Sequence, residues 1–249
     1  INEKQIGKTK EAEFMKRLEE FIIELGASFV GFSNVYEKLP ESLKKYQYAI
    51  TFGIRLSDVI IDEIVDKPTF SYFNHYRSVN TLIDQIGLRT MLFLQDNGFK
   101  AYTIAASQSI PDAPEPFSSV FPHKTGAVAS GLGWIGKNGL VRLGTVLTNL
   151  LTEYVDTNKE NSGTVPFISS NLKCIEYFGE KPILKSKCFS CNKCVEACPA
   201  MALTGKEWHA GIKREEIVDA RACSEYMNKK FKHIGRGSVC GICIKVCPY

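Results

Sequence analysis

The sequence predicts a mixed core, α+β or α/β, over residues 1–180, followed by a small cysteine-rich module over residues 181–249. Three observations carry that reading. Stretches with helical spacing of apolar residues alternate with short apolar runs of strand length, as in a layered mixed fold. Cysteine is absent from residues 1–173, and eight of the nine cysteines fall between positions 188 and 247. The chain has 249 residues, 44% hydrophobic and 23% charged, so it can bury a core without covalent staples.

The elements follow in order. Residues 10–25 place Phe14, Leu18, Phe21, Ile22 and Leu25 on one helical face, and Gly26 can end the helix. Residues 27–32 and 48–54 read as buried strands. Residues 70–97 are helical, with a break expected near Gly87. A short strand at 101–106, a proline-rich loop at 112–117, a short helix at 123–130 and a strand at 144–150 come next. Residues 152–184 are polar and irregular, a linker or a flap. No uncharged apolar run reaches the ~18 residues of a membrane span, so no membrane partner is expected.

The cysteine spacing is specific. Residues 188–198 read C-x2-C-x2-C-x3-C, with Pro199 next. Three thiolates at that spacing wrap one iron–sulfur cube from a single loop, and the fourth serves a different cluster. Cys191-x2-Cys194-x3-Cys198-Pro199 then returns as Cys240-x2-Cys243-x3-Cys247-Pro248. A complete repeat would need a cysteine at position 237, which is Gly237; Cys223 can supply the missing thiolate. The expected ligation is crossed. Cys188, Cys191, Cys194 and Cys247 hold one [4Fe–4S] cluster, and Cys198, Cys223, Cys240 and Cys243 hold the other.

Structural zinc pairs two C-x2-4-C knuckles and needs neither the third cysteine nor the proline. A secreted disulfide scaffold would be smaller and would spread its cysteines through the chain. Cys174, which stands alone, reads as a plain thiol. Two adjacent cubes serve to pass single electrons, and a reducing, cytoplasmic compartment is expected for them.

The most distinctive core segment is Gly131-Leu132-Gly133-Trp134-Ile135-Gly136-Lys137-Asn138-Gly139. Its start matches G-x-G-x-x-G, but a dinucleotide fingerprint leaves a strand and opens a helix, and here a helix-like stretch comes first. Glycines beside Trp134 and Lys137 allow a large flat partner to approach the backbone; a tight turn between core elements is the alternative. His75, His123, His209 and His233 form no H-x-x-x-H or H-E-x-x-H pair, so no second, histidine-based metal is expected. His123 is kept as a candidate contact because Lys124 and the glycine segment follow it. No G-x-S-x-G elbow, Walker loop or paired catalytic carboxylates stand out, and no catalytic residue is assigned.

Taken together, Ser130 with the glycine segment, the C-x2-C-x2-C-x3-C-P run, Asp219-Ala220-Arg221-Ala222-Cys223, and Cys240-Gly241-Ile242-Cys243-Ile244-Lys245-Val246-Cys247-Pro248 resemble the epoxyqueuosine reductases and, more distantly, the reductive dehalogenases. The resemblance implies an iron–sulfur and cobalamin-dependent oxidoreductase. Its fold would be a nitroreductase-like, corrinoid-binding core followed by a two-cluster ferredoxin-like module. An external donor of ferredoxin or flavodoxin type would feed the clusters, which reduce cobalt to Co(I) to act on a small-molecule substrate. The implied corrinoid pocket holds His123, Lys124, Ser130, Gly131, Gly133, Trp134, Ile135, Gly136, Lys137 and Asn138, without a histidine on cobalt. In keeping with that, the D-x-H-x-x-G motif is absent: Phe121 stands where its aspartate would be.

Three departures shape the expectation. The family's acidic proton donor sits in a V-D-[ST]-x-P-V stretch, and a gapless count puts Phe117 there, with Asp112 and Glu115 close by. The family continues past the second cluster into a helical-repeat domain that helps hold tRNA, whereas this sequence stops at Tyr249. Residues 152–184 look inserted. A tRNA partner is therefore not expected. The alternative is an electron-transfer protein that reduces a partner corrinoid protein and has no substrate of its own. Charge points the same way: the formal balance is +4. Eight thiolates and two oxidised cube cores bring the loaded protein to about zero. Lys181, Lys185 and Lys187 then read as compensation for the clusters, not as a nucleic-acid footprint.

Overall fold

The computed structural model of the chain describes residues 3–107, 110, 117–138, 143–150, 182–237 and 239–249, and only the backbone of residues 3–12. Cys174, Lys181, Asp112, Glu115, Gly139 and most of the expected 112–117 loop and 152–184 linker lie outside the described residues.

The core contains α1 (Glu3–Glu24), β1 (Phe29–Asn34), β2 (Tyr48–Gly53), α2 (Asp58–Asp62), α3 (Phe70–Asp96), β3 (Ala101–Ile104), α4 (His123–Ala129) and β4 (Leu143–Thr148). Among the described residues, the strands form one sheet in the order β1-β2-β4-β3, and every pairing is antiparallel. The α/β alternative, which needs parallel strands, is thereby set aside in favour of α+β.

Side chains alternate across this sheet. Ile50, Phe52 and Val146 point to one face, where they pack with Leu18 and Ile22 of α1 and Ile83 and Leu94 of α3. Ala49 and Leu147 point to the other face and pack with Val35, Leu39 and Phe121. Thr51 and Thr145 share that second face and stand opposite each other in the β2–β4 register. Helix α4 lies hard against them: a Cβ on Gly126 would sit 2.2 Å from Thr51 Oγ1.

The expected break at Gly87 does not occur, because α3 runs unbroken from Phe70 to Asp96. Gly87 serves packing instead. A Cβ there would stand 2.5 Å from Thr103 Oγ1, so glycine lets β3 close onto the helix, at about 1 kcal/mol of helix propensity. Thr69 caps α3 by accepting from the Tyr72 N–H at 3.0 Å.

The module carries α5 (Lys193–Glu196), α6 (Ala220–Gly235) and α7 (Ile242–Lys245), with isolated bridges Lys185–His209 and Leu203–Val218. A shared apolar cluster seats it on the core. Ile64 and Tyr72 meet Phe231, Val239 and Ile242, and Lys245 pairs with Asp62. The break in the sequence repeat has a steric cause. Gly237 has φ +76°, and a Cβ there would lie 2.0 Å from Asn228 Oδ1. The position that would complete the second cysteine run is a left-handed turn just beyond α6, with no room for a side chain.

Candidate metal centre and the loop that faces it

The cysteines of the module come from four short pieces of chain. Cys188 and Cys191 lie on the loop before α5, Cys194 is buried on α5, and Cys198 follows it. Cys223 sits in the first turn of α6. Asp219 fixes that turn, accepting from the Ala222 N–H at 2.8 Å while its carbonyl accepts from the Cys223 N–H at 3.1 Å. The D-A-R-x-C spacing thus has a local reason: an N-cap followed one turn later by a thiol. Cys240 and Cys243 flank the start of α7, which Gly241 opens at φ +82°, and Cys247 follows that helix.

All eight are free thiols, and their mutual electrostatics sort them into two groups. Burial pushes the Cys194 thiol up, and Cys247, Cys188 and Cys191 push it the same way. Burial raises Cys223 to about 11, with help from Cys240, Cys198 and Asp219. Burial raises Cys243 to about 12, and Cys240, Cys223, Cys198 and Cys194 add to it. Cys240 is also raised, by burial and by Cys198. These influences link Cys194 mainly with Cys188, Cys191 and Cys247, and link Cys198, Cys223, Cys240 and Cys243 with one another. Cys194 is the one thiol of the first group that also acts on Cys243.

Such thiols hold their protons at neutral pH until a metal displaces them. Among the described residues, no three His, Cys, Asp or Glu side chains converge closely enough for one metal ion. The sulfurs around a four-iron cube stand further apart than the ~2.3 Å bonds of one zinc allow. The donor set fits two cubes, eight thiols in two fours.

The glycine segment is directed at this module. The Trp134 ring meets Tyr249 edge-on at 6.0 Å, and Lys187 Nζ lies 5.3 Å over it. A Cβ on Gly136 would stand 3.4 Å from Cys188 Sγ. Lys137 is only 4% exposed. Its ammonium donates to Phe189 O at 3.0 Å, Cys191 O at 3.0 Å and Asn192 Oδ1 at 2.8 Å. The Asn138 amide donates to Cys243 O at 3.0 Å. The cationic and amide groups expected at a flat cofactor are thus turned onto the two cysteine loops. Spacing in the sequence could not show this, because the partners lie 52 to 105 residues away.

Other members of the expected pocket are placed differently. Gly131 takes φ +73°, and a Cβ on Gly133 would meet nothing within 4 Å. Ile135 and Lys124 are half-buried. The buried Ser130 hydroxyl is tied back to Gly126 O at 2.8 Å and Ala127 O at 3.2 Å.

Both nitrogens of His123 are engaged. A carbonyl only accepts, so Nε2–H donates to Ala105 O at 3.0 Å, and Nδ1 accepts from the Thr145 hydroxyl at 3.0 Å. Thr145 can in turn accept from Thr51 at 3.4 Å. Burial lowers the His123 pKa and Lys124 lowers it further; the Ala105 bond and Asp84 work against them. His123 is a neutral latch between α4 and the sheet, and neither nitrogen is left for a metal. Thr51 and Thr145, absent from the sequence reading, are the partners that make it so.

Known proteins agree with this architecture. Residues 187–249 match the family described as the 4Fe-4S double cluster binding domain. The epoxyqueuosine reductase of Cyclobacterium marinum is 28% identical over 133 residues, which is 49% of this chain and 35% of that relative. The chain spans 35%, 48% and 36% of three such curated relatives. A reductive dehalogenase, solved in work on B12-dependent dehalogenation, shares the fold at TM-score 0.61 and 16% identity, over 93% of this chain and 31% of that one. An epoxyqueuosine reductase solved with an epoxyqueuosine-modified tRNA-Tyr stem loop shares it at TM-score 0.52 and 14% identity, over 96% of this chain and 65% of that one. The resemblance carried by the motifs is therefore supported: this chain is similar in sequence to curated epoxyqueuosine reductases and shares its fold with solved structures of an epoxyqueuosine reductase and a reductive dehalogenase.

Proposed function

We propose that this chain, similar to the epoxyqueuosine reductases, is an iron–sulfur oxidoreductase, with a core over residues 1–180 that holds a corrinoid and a module over 181–249 that holds two [4Fe–4S] clusters. The observation that carries the reading is the pair of thiol groups, crossed between the two halves of the module. When bound, the clusters would supply one-electron transfer and the corrinoid a strongly reducing cobalt centre.

The chain's own residues do the rest. Eight thiols would anchor the cubes, and two of them, Cys188 and Cys194, are buried. Lys137 and Asn138 tie both cysteine loops to the core, so the electron path keeps a fixed length. The open backbone at Gly133, beside Trp134, is where a corrinoid would rest, within a nitroreductase-like core. His123 shapes that wall without binding cobalt. Electrons would come from a donor of ferredoxin or flavodoxin type.

The substrate has two readings. The near-neutral charge expected of the loaded protein weighs against tRNA. The likeness to epoxyqueuosine reductases, one of them solved on a modified tRNA stem loop, weighs for it. The test is the visible spectrum and metal content of anaerobically purified protein, with and without added cobalamin. Stoichiometric cobalt with a changed corrinoid spectrum is expected. Intact clusters with no cobalt uptake would leave an electron-transfer protein that serves a partner's cofactor and would end the reductase reading. An epoxyqueuosine-modified stem loop and a small halogenated phenol, each added to the loaded protein, separate the two substrate classes.

A further inference from the structure

We propose that the Lys137 ammonium makes the two clusters unequal, raising the reduction potential of the one held by Cys188, Cys191, Cys194 and Cys247 above that of the other. The proposal rests on reading the eight thiols as two cubes, and goes beyond it by assigning a tuning residue.

The two halves of the module are near copies, yet the core reaches them with different chemistry. Toward the first loop it sends a cation. Lys137 Nζ donates to Phe189 O, Cys191 O and Asn192 Oδ1 at 2.8–3.0 Å. A lysine ammonium carries three N–H donors, and three acceptors face it here. Toward the second loop the core sends a neutral amide, Asn138 Nδ2 to Cys243 O at 3.0 Å. The asymmetry continues behind the clusters: the Asp219 carboxylate caps the turn that carries Cys223.

Reduction adds one negative charge to a cube. A buried cation beside it favours that state, and a nearby carboxylate opposes it. Lys137 is 4% exposed, so solvent screens it little. The exposed Lys187 and Lys193 act through water and count for less. Gly136 brings the segment close to the same loop: a Cβ there would stand in ordinary contact, 3.4 Å, with Cys188 Sγ.

The test is an EPR-monitored redox titration of the anaerobic holoprotein, with dithionite supplying one electron per cube. Wild type is expected to show two midpoints. Lys137→Met should lower the upper one by at least tenfold in the oxidised–reduced equilibrium, about 59 mV for a one-electron couple, and leave the lower one in place. Lys137→Arg should restore the upper value. An upper midpoint unmoved in a Lys137→Met protein with full iron would overturn the assignment, as would an equal fall in Lys137→Arg. Should Lys137→Met not retain its iron, Asn192→Asp keeps the hydrogen bond and sets a carboxylate against the ammonium; it must lower the same midpoint, and no shift would overturn the proposal. Wild-type protein that holds no iron would instead end the cluster reading itself.

Discussion

In the sheet core, Phe52 and Leu94 are 0% exposed and Ile83 1%, inside one continuous apolar cluster. In the stretch 182–218, the described buried apolar residues are Cys188, Cys194, Ala202, Leu203 and Ile217, and two of those are thiols. The first region can be ordered by side-chain burial alone. The second is too thin for that, and inorganic cross-links are the means by which small modules make up the difference. Core and module are joined by the Ile64–Tyr72–Phe231 cluster, the Asp62–Lys245 pair, the Lys137 and Asn138 hydrogen bonds, the Trp134 contacts with Tyr249 and Lys187, and the Arg214 bond to Phe117 O.

The contrast can be broken at several strengths. Loss of metal should act most strongly and on one side only. Anaerobic chelation of iron should expose residues 182–249 to proteolysis while the fragment ahead of them stays resistant. Simultaneous cleavage of both would show a single cooperative unit. Phe52→Ala should act on the other side, at about 3–5 kcal/mol, seen as a lowered thermal midpoint of the sheet core. Gly126→Ala forces a methyl to within 2.2 Å of Thr51 Oγ1 and should cost about 1–3 kcal/mol. Asp219→Ala removes one N-cap, about 1 kcal/mol, and should speed iron release from the Cys223 cluster more than from its neighbour.

The smallest effect is one of pH. Burial holds the His123 pKa below its ordinary value of about 6.5, so the unfolded chain takes up the proton first as pH falls. The stability that depends on neutral His123 is therefore complete above about pH 6.5 and is lost below it. His123→Gln should flatten that acid slope in urea unfolding monitored across pH 5 to 7; an unchanged slope would place the titrating group elsewhere.

Much of this was legible in the sequence, for a physical reason. The cysteine runs are read from spacing along one loop and the strands from local apolar runs; both are local properties. The crossed pairing of Cys198 with Cys223 and Cys240 is an expectation from the same spacing, and Cys198 and Cys240 both act electrostatically on Cys223. What escaped was long-range. Gly87 looked like a helix break because a lone glycine lacks propensity, but Thr103, across the fold, gives it a packing role. Lys137 looked like a ligand for a flat cofactor because its acceptors on the cysteine loop are out of sight of any local pattern. His123 looked available because Thr145 and Ala105 meet it only once the sheet is formed.

The central claim is that eight thiols carry two four-iron cubes. The direct measurement is iron and acid-labile sulfide per chain in anaerobically purified protein. The account predicts about eight of each, falling to about four in a Cys223→Ser protein that keeps its other cluster. Stoichiometric zinc with no labile sulfide would contradict it.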